Sequence, residues 1–230
     1  MKLLKIIIPC FNERDSLPIL IGKLQKLNKD IHFIVVNNGS TDESKQFLDS
    51  LIKVPMENLD ILHIRENLGY GDGIYRGLQI GPKSKFIGWI HGDLQFEFFK
   101  LDEIYEDLVV MEDKNVFYKG IRTGRSILDR FFSFFMGTIA SLILGLKFKE
   151  INAQPTIFSS NLLEKIKSPP IDFSFDTYIY WLGLKNNYKF IRKEFTFPPR
   201  LFGSSKWNFG LKTKFIFSKS LISYFFTLRK

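Results

Sequence analysis

Phe86-Ile-Gly-Trp-Ile-His-Gly-Asp-Leu-Gln95 decides how this chain is read. A short apolar run, Phe86 to Ile90, breaks abruptly into His91-Gly92-Asp93. That is the pattern of a buried strand that ends by presenting a carboxylate at a sheet edge. In open α/β sheets, ligands sit beyond the carboxyl ends of the strands. An aspartate there, beside a glycine that lets backbone come close, suits a divalent cation and a phosphate. Alone, the same aspartate also reads as a helix cap or a turn residue, so the surrounding chain must decide.

Upstream the pattern repeats. Leu3 to Ile8 reads as a buried strand that Pro9 should end, followed by Cys10-Phe-Asn-Glu13. Ser16 is placed to cap a helix whose apolar face is Leu17, Leu20, Ile21, Leu24 and Leu27. Ile31 to Val36 is a second strand ending in Asn37-Asn-Gly-Ser-Thr-Asp42. Ser40 and Glu43 fit a capping box for a helix that turns Phe47, Leu48, Leu51 and Ile52 inward. Leu59 to Ile64 is a third strand, and Asn67-Leu-Gly-Tyr-Gly-Asp-Gly73 leads into a short helix. Strand-then-helix units repeated over about ninety residues predict a parallel sheet with crossover helices. Its polar strand ends converge on one edge, which is where a nucleotide pocket belongs.

Other nucleotide and nucleophile signatures are absent. Gly69, Gly71 and Gly73 are spaced G-x-G-x-G and follow the third strand, so the dinucleotide fingerprint is missing. There is no Walker loop and no G-x-S-x-G elbow.

At 230 residues the chain is long enough for one domain with a substantial core. Its single cysteine, Cys10, excludes an intrachain disulfide and a cysteine-based zinc site, and fits a reducing compartment. The N-terminal apolar run is too short for a signal peptide. The net charge of +9 is unevenly placed. From Lys185 to Lys230 there are eleven Lys and Arg against one acid, Glu194, while the remainder carries −1. A neutral body with a basic, aromatic tail seeks phosphate in some form.

Four motifs in order, Ile8-Pro-Cys-Phe-Asn-Glu13, Val36-Asn-Asn-Gly-Ser-Thr-Asp42, Asn67-Leu-Gly-Tyr-Gly71 and Ile90-His-Gly-Asp-Leu-Gln95, resemble those of family 2 glycosyltransferases of the GT-A fold. Ile151-Asn-Ala-Gln-Pro155 and Arg200-Leu-Phe-Gly-Ser-Ser-Lys206 are similar to the branch that includes dolichol-phosphate mannose synthase and polyprenyl-phosphate glycosyltransferases. The resemblance implies an α/β fold, a Rossmann-like, mostly parallel sheet flanked by helices, with C-terminal amphipathic helices. It implies a glycosyltransferase domain over residues 1–206, with a nucleotide-binding half at 1–98 and an acceptor half at 99–206, then a basic aromatic membrane-associating helix at 207–230.

Residue by residue, the resemblance places the base and ribose of a UDP- or GDP-linked sugar at Pro9, Phe11, Glu13, Asn37, Asn38, Gly39, Ser40 and Gly69. Asn37-Asn38 stands where many members have two aspartates, and an amide both donates to and accepts from a base edge. The family's Asp-x-Asp metal motif is here His91-Gly92-Asp93. Asp93 falls on the position that binds Mg²⁺ or Mn²⁺, with Gln95 in support. His91 is either a ligand, suited to Mn²⁺ rather than Mg²⁺, or a hydrogen-bonded wall residue. Arg200 and Lys206 match the family's loop for the diphosphate or the acceptor phosphate. Asp176 is the general base that a hydroxyl acceptor would need, or a helix-start carboxylate. Asn152 stands where many relatives have an aspartate, and an amide cannot act as a base.

Phe131 to Leu146 is an apolar stretch of 16 residues, below the roughly 20 of a spanning helix, with Arg122, Arg125 and Arg130 before it and Lys147 and Lys149 after it. It reads as a core helix or as one lying in a bilayer interface. Trp207 to Lys230 interleaves aromatic and basic residues, the composition of a membrane-surface anchor. No nucleic-acid-binding signature accompanies it. The expectation is an inverting transferase, peripheral or monotopic at the cytoplasmic membrane face, moving a sugar from a nucleotide-sugar to a polyprenyl (dolichyl-type) lipid phosphate. Transfer to a sugar hydroxyl of a lipid-linked or surface glycan, and a catalytically silent scaffold, are the alternatives.

Overall fold

The structure, a computed structural model, describes residues 1–52, 56–124, 127–197 and 210–229. Their strands are β1 (Lys2–Cys10), β2 (Ile31–Asn38), β3 (Leu59–Ile64), β4 (Ser84–Trp89), β5 (Val116–Thr123), β6 (Thr156–Ser159) and β7 (Lys189–Thr196). They form one sheet in the order β3-β2-β1-β4-β6-β5-β7. Neighbours run parallel, except that β6 is antiparallel to β4 and to β5. The chain therefore steps outward from β1 to β3, then crosses back to lay β4 on the other side of β1. The crevice between the ends of β1 and β4 is the switch point at which open α/β sheets bind ligands. β1, β2, β4 and β5 all point their carboxyl ends to that edge, because β6 reverses direction between β4 and β5.

The helices are α1 (Leu17–Leu24), α2 (Ser44–Ile52), α3 (Tyr70–Gln79), α4 (Lys100–Val109), α5 (Ile127–Leu144), α6 (Ser174–Lys185) and α7 (Gly210–Arg229). Alternation along β1 feeds two cores. Leu4, Ile6 and Ile8 join the buried faces of α1, α2 and α4, including Leu20, Leu48 and Ile104. Ile7 joins α3, α5, α6 and α7 through Ile74, Ala140, Ile179 and Phe225 on the opposite face. Both faces of the sheet are covered, so the central strands are continuous apolar runs.

Five local expectations need correction. Pro9 does not end β1, which pairs through Pro9↔Val36 to Cys10↔Asn37. β4 leaves β1 after Ile7↔Trp89, so at Pro9 the missing N–H faces no second strand. Ser16 occupies the N-cap position of α1 without capping it, because its hydroxyl donates to the Glu13 carboxylate at 2.6 Å. The capping box at Ser40 and Glu43 does not form. Asp42 instead accepts the Ser44 N–H at 3.0 Å, while the Ser40 hydroxyl accepts the Asn12 N–H. Ile52 is exposed at the end of α2 rather than turned inward. The expected stretch from Phe131 to Leu146 is realised four residues earlier at its start, as α5.

Candidate active site

The ends of β1 and β2 are tied into one floor. Asn12, with φ of 56°, donates its N–H to Ser40 Oγ (3.0 Å) and accepts the Thr41 N–H on its own Oδ1 (2.8 Å). The Glu13 N–H donates to Ser44 Oγ, and the Arg14 N–H to Asp42. Gly39 turns the chain at φ of 70°, and a Cβ there would sit 2.5 Å from the backbone nitrogen of Asn67. The two asparagines expected to read a base are buried. Asn37 is turned into the protein: its Oδ1 accepts the Ser40 N–H, and its Nδ2 lies 3.1 Å from His63 Nδ1. Asn38 donates to the carbonyl of Gly69 (2.9 Å), which joins the β2 end to the start of α3. Its Oδ1 is buried without a hydrogen-bond partner. Phe11 and Glu13 are half-buried beside this floor.

Across the switch point, β4 delivers His91 and Asp93. Asp93 is buried, and its Oδ1 accepts the Gln95 N–H at 3.1 Å. Its Oδ2 lies 3.9 Å from His91 Nδ1. Among the described residues no three His, Cys, Asp or Glu side chains converge as a metal cage. One carboxylate and one imidazole facing each other do fit a cation whose remaining ligands are substrate phosphate oxygens and water. Gly92 packs its backbone on Cys10. Burial pushes the Cys10 thiol far above its ordinary range, which makes it an inert packing group.

Two residues that the motifs contained, but that were not singled out, complete this wall. The Tyr70 hydroxyl, on the first turn of α3, lies 3.1 Å from His91 Nε2 and accepts the Gln154 amide N–H at 3.4 Å. The Tyr70 ring stacks on Phe173 at 4.5 Å. Gln154 is buried, with its Oε1 unpartnered. The aromatic residue between Gly69 and Gly71 was the available signal for this contact.

Asp176 is placed on the first turn of α6, but it is only 2% exposed. Its Oδ1 accepts the Trp89 indole N–H at 3.1 Å. Beneath it, Lys119 of β5 is fully buried and donates to Thr156 Oγ1 at 2.7 Å. Burial pulls the Lys119 ammonium down to about 7, against the opposing pull of Asp176. Arg200 and Lys206 lie outside the described residues, as do Arg125, Trp207 and Phe209.

The β5 end reaches the same edge. Arg122 bonds Glu150 at 3.1 Å and Ser133 of α5 at 3.3 Å. From there α5 presents Ile127, Leu128, Phe131, Phe134, Phe135 and Leu142 to the exterior. These recur at helical spacing on one face. The opposite face, with Met136, Gly137 and Ala140, packs inward. The 18 residues have a mean hydropathy of 1.6 and are 17% buried, so by length and composition α5 could cross a membrane.

Comparison with known proteins bears on the family and the fold. The sequence profile of the family described as Glycosyl transferase family 2 matches residues 5–133, which contain the floor, the switch point and the β5 end. Polyprenol monophosphomannose synthase of Mycolicibacterium smegmatis is 22% identical over 214 residues, taking in 87% of this chain and 79% of that protein. Dolichyl-phosphate beta-glucosyltransferase of Dictyostelium discoideum is 28% identical over 122 residues, 49% of this chain and 37% of that one. Among solved structures, glucosyl-3-phosphoglycerate synthase of Mycobacterium tuberculosis, in complex with Mn²⁺, UDP and glucosyl-3-phosphoglycerate, superposes with a TM-score of 0.71 at 15% identity. That superposition covers 98% of this chain and 79% of the other, and shows the shared fold. With the profile matched over residues 5–133, more than half of the chain, and the fold shared, this chain belongs to the family 2 glycosyltransferases.

Proposed function

We propose that the chain transfers a sugar, with inversion, from a UDP- or GDP-linked donor to the phosphate of a polyprenyl lipid at the cytoplasmic face of a membrane. One observation carries the acceptor assignment. The exposed apolar face of α5 begins at the same sheet edge as Asp93, beside Arg122. A lipid lying along that face would bring its headgroup to a cationic strand end and the donor site together.

On this reading Phe11, Glu13 and the Asn37–Ser40 turn cradle the nucleoside, and Asp93 with Gln95 and His91 faces the diphosphate. Arg200 and Lys206 are the cations assigned to the phosphates. Mg²⁺ or Mn²⁺ bound at Asp93 would neutralise charge developing on the leaving diphosphate. A phosphate acceptor is already anionic and needs no strong general base. That suits a site in which Asp176 is buried against Trp89, and it favours the lipid phosphate over a sugar hydroxyl. The mycobacterial relative is named for transfer of this kind. The eleven basic residues of the last 46 favour the anionic cytoplasmic leaflet.

The test is transfer of labelled sugar from UDP- and GDP-linked donors to polyprenyl phosphate in mixed micelles, with Mn²⁺ or Mg²⁺ supplied. The expected product partitions into organic solvent and releases its sugar under mild acid. Transfer only to glycan hydroxyls, with none to polyprenyl phosphate, would overturn the acceptor assignment.

A further inference from the structure

His63, near the carboxyl end of the edge strand β3, sits opposite Asn37 in the register of β2 with β3. The Asn37 amide lies between two groups. Its Oδ1 is 3.1 Å from the Ser40 backbone nitrogen, and its Nδ2 is 3.1 Å from His63 Nδ1. A backbone N–H can only donate, so the amide oxygen must face Ser40 and the amide nitrogen must face His63. An amide nitrogen likewise only donates, so His63 Nδ1 must offer the lone pair. The proton of the neutral ring is therefore on Nε2. That nitrogen faces Asp49 Oδ1 of α2 at 3.0 Å, and Lys45 pairs with the same carboxylate at 2.6 Å. Donor and acceptor roles thus agree at every step from α2 to the turn.

The turn depends on this order. Asn37 is only 2% exposed, so its amide nitrogen cannot exchange His63 for bulk water. A buried amide that loses its partner costs more than the bond itself contributed, and the side chain turns to find another. Turning it releases the Ser40 N–H, which closes the turn over Gly39 at φ of 70°. Ser40 Oγ in turn accepts the Asn12 N–H, so the disturbance reaches the end of β1. The pair also accounts for the amide at position 37. A carboxylate there would set its oxygen against the lone pair of His63 Nδ1, whereas an amide supplies the proton that this nitrogen lacks.

We propose that His63 is a positioning residue of the donor site: as its Nε2–H tautomer it fixes the Asn37 amide, and through that amide the turn from Asn37 to Ser40 that holds the nucleoside. The proposal rests on the nucleotide-sugar reading above and deepens it. An edge-strand side chain that touches no substrate then governs the shape of the floor.

The test uses the full chain. Long-range proton–nitrogen correlation spectra of the ligand-free protein, taken at mildly alkaline pH where an imidazole is neutral, should show His63 as the Nε2–H tautomer, its signals assigned by their loss in H63N. Calorimetric titration with Mn²⁺ and UDP or GDP should show H63Q weakening nucleotide binding by roughly tenfold. Glutamine reaches the Nε2 position and leaves Asn37 without its acceptor. H63N sets an amide oxygen where Nδ1 stood and should recover most of the loss. In N37A, which lacks the amide, H63Q should have no further effect. Equal weakening by H63Q in both backgrounds would mark His63 as merely structural and overturn the positioning role. So would the Nδ1–H tautomer, or H63Q binding as tightly as the wild type, and each of these results leaves the nucleotide-sugar reading standing. Should H63Q fail to fold, the tautomer and the comparison of H63N with H63L decide in the same way. A folded wild type that shows the tautomer and binds neither nucleotide overturns the reading beneath, and the positioning role with it.

Discussion

Lys119 shows how far single residues of this site depart from the behaviour of their type. It is fully buried with a hydroxyl as its hydrogen-bond partner, and burial lowers it to about 7 from an unfolded value near 10.5. Between those two values the unfolded chain holds a proton that the folded chain has released, so folding stability rises with pH across that window and levels off above it. Below about 7 both states are protonated, and the cost of the buried charge is felt in full. Denaturant midpoints measured from pH 7 to pH 9.5 should therefore climb in the wild type more than in Lys119→Met, with the variant the more stable of the two near pH 7. Parallel profiles would mean that Lys119 does not titrate there. Residue types and spacings in the sequence pointed to Asp93, Glu13 and Gly39, because each lies in a short motif at a strand end. Tyr70 was not recognisable as a hub. Its partners His91 and Gln154 come from segments 21 and 84 residues away, and only the folded sheet brings them together. Ser16 misled for a related reason: a carboxylate three residues before it competes for the hydroxyl that would otherwise cap α1.

At the scale of elements, α5 stands apart. Most helices here bury their apolar stripe against the sheet, whereas α5 buries small residues, Gly137 and Ala140, and exposes phenylalanines. Phe134 is 73% exposed, next to Phe131 at 67%. Transfer of such a side chain out of water is worth about 1.5–3 kcal/mol. Replacing Phe131 and Phe134 together with Ser should cut sedimentation with anionic, polyprenyl-phosphate-containing vesicles by roughly tenfold or more on that scale, while calorimetric affinity for Mn²⁺–UDP or Mn²⁺–GDP stays at the wild-type value. Unchanged vesicle binding would remove α5 from the membrane-facing surface and leave the basic C-terminal stretch to account for it. The helix itself was legible as an apolar run between basic flanks. Its start was not, because Ile127 and Leu128 lie beyond Arg130, which reads as a boundary in sequence and is an exposed residue of the first turns in the structure. The strands were easier. β2 is buried at every position, so its run of apolar residues had one reading.

For the molecule as a whole, the sheet is a coupling device. β1 to β3 hold the floor proposed for the nucleotide, β5 and β7 carry the Lys119–Arg122 side, and the antiparallel β6 joins the two through β4. Asp93 and Asp176 approach the same wall from opposite halves, through His91 and Trp89 respectively. A ligand that bridges the crevice binds only the folded state, so its binding energy adds to the stability of the whole chain. At a free concentration near one hundred times its dissociation constant, the gain is about 2.7 kcal/mol. For a domain of this size each kcal/mol raises the melting temperature by about 2–4 °C, so Mn²⁺ with the cognate nucleoside diphosphate should raise it by about 5–10 °C, and neither component alone should do so. Asp93→Ala should keep the ligand-free melting temperature within a few degrees and lose the ligand-induced rise, since the proposed function gives its carboxylate to the cation and the Gln95 N–H that it accepts is a local partner. An equal rise in the variant would show that the diphosphate is held without Asp93, and the metal would then have to be sought elsewhere along the same edge.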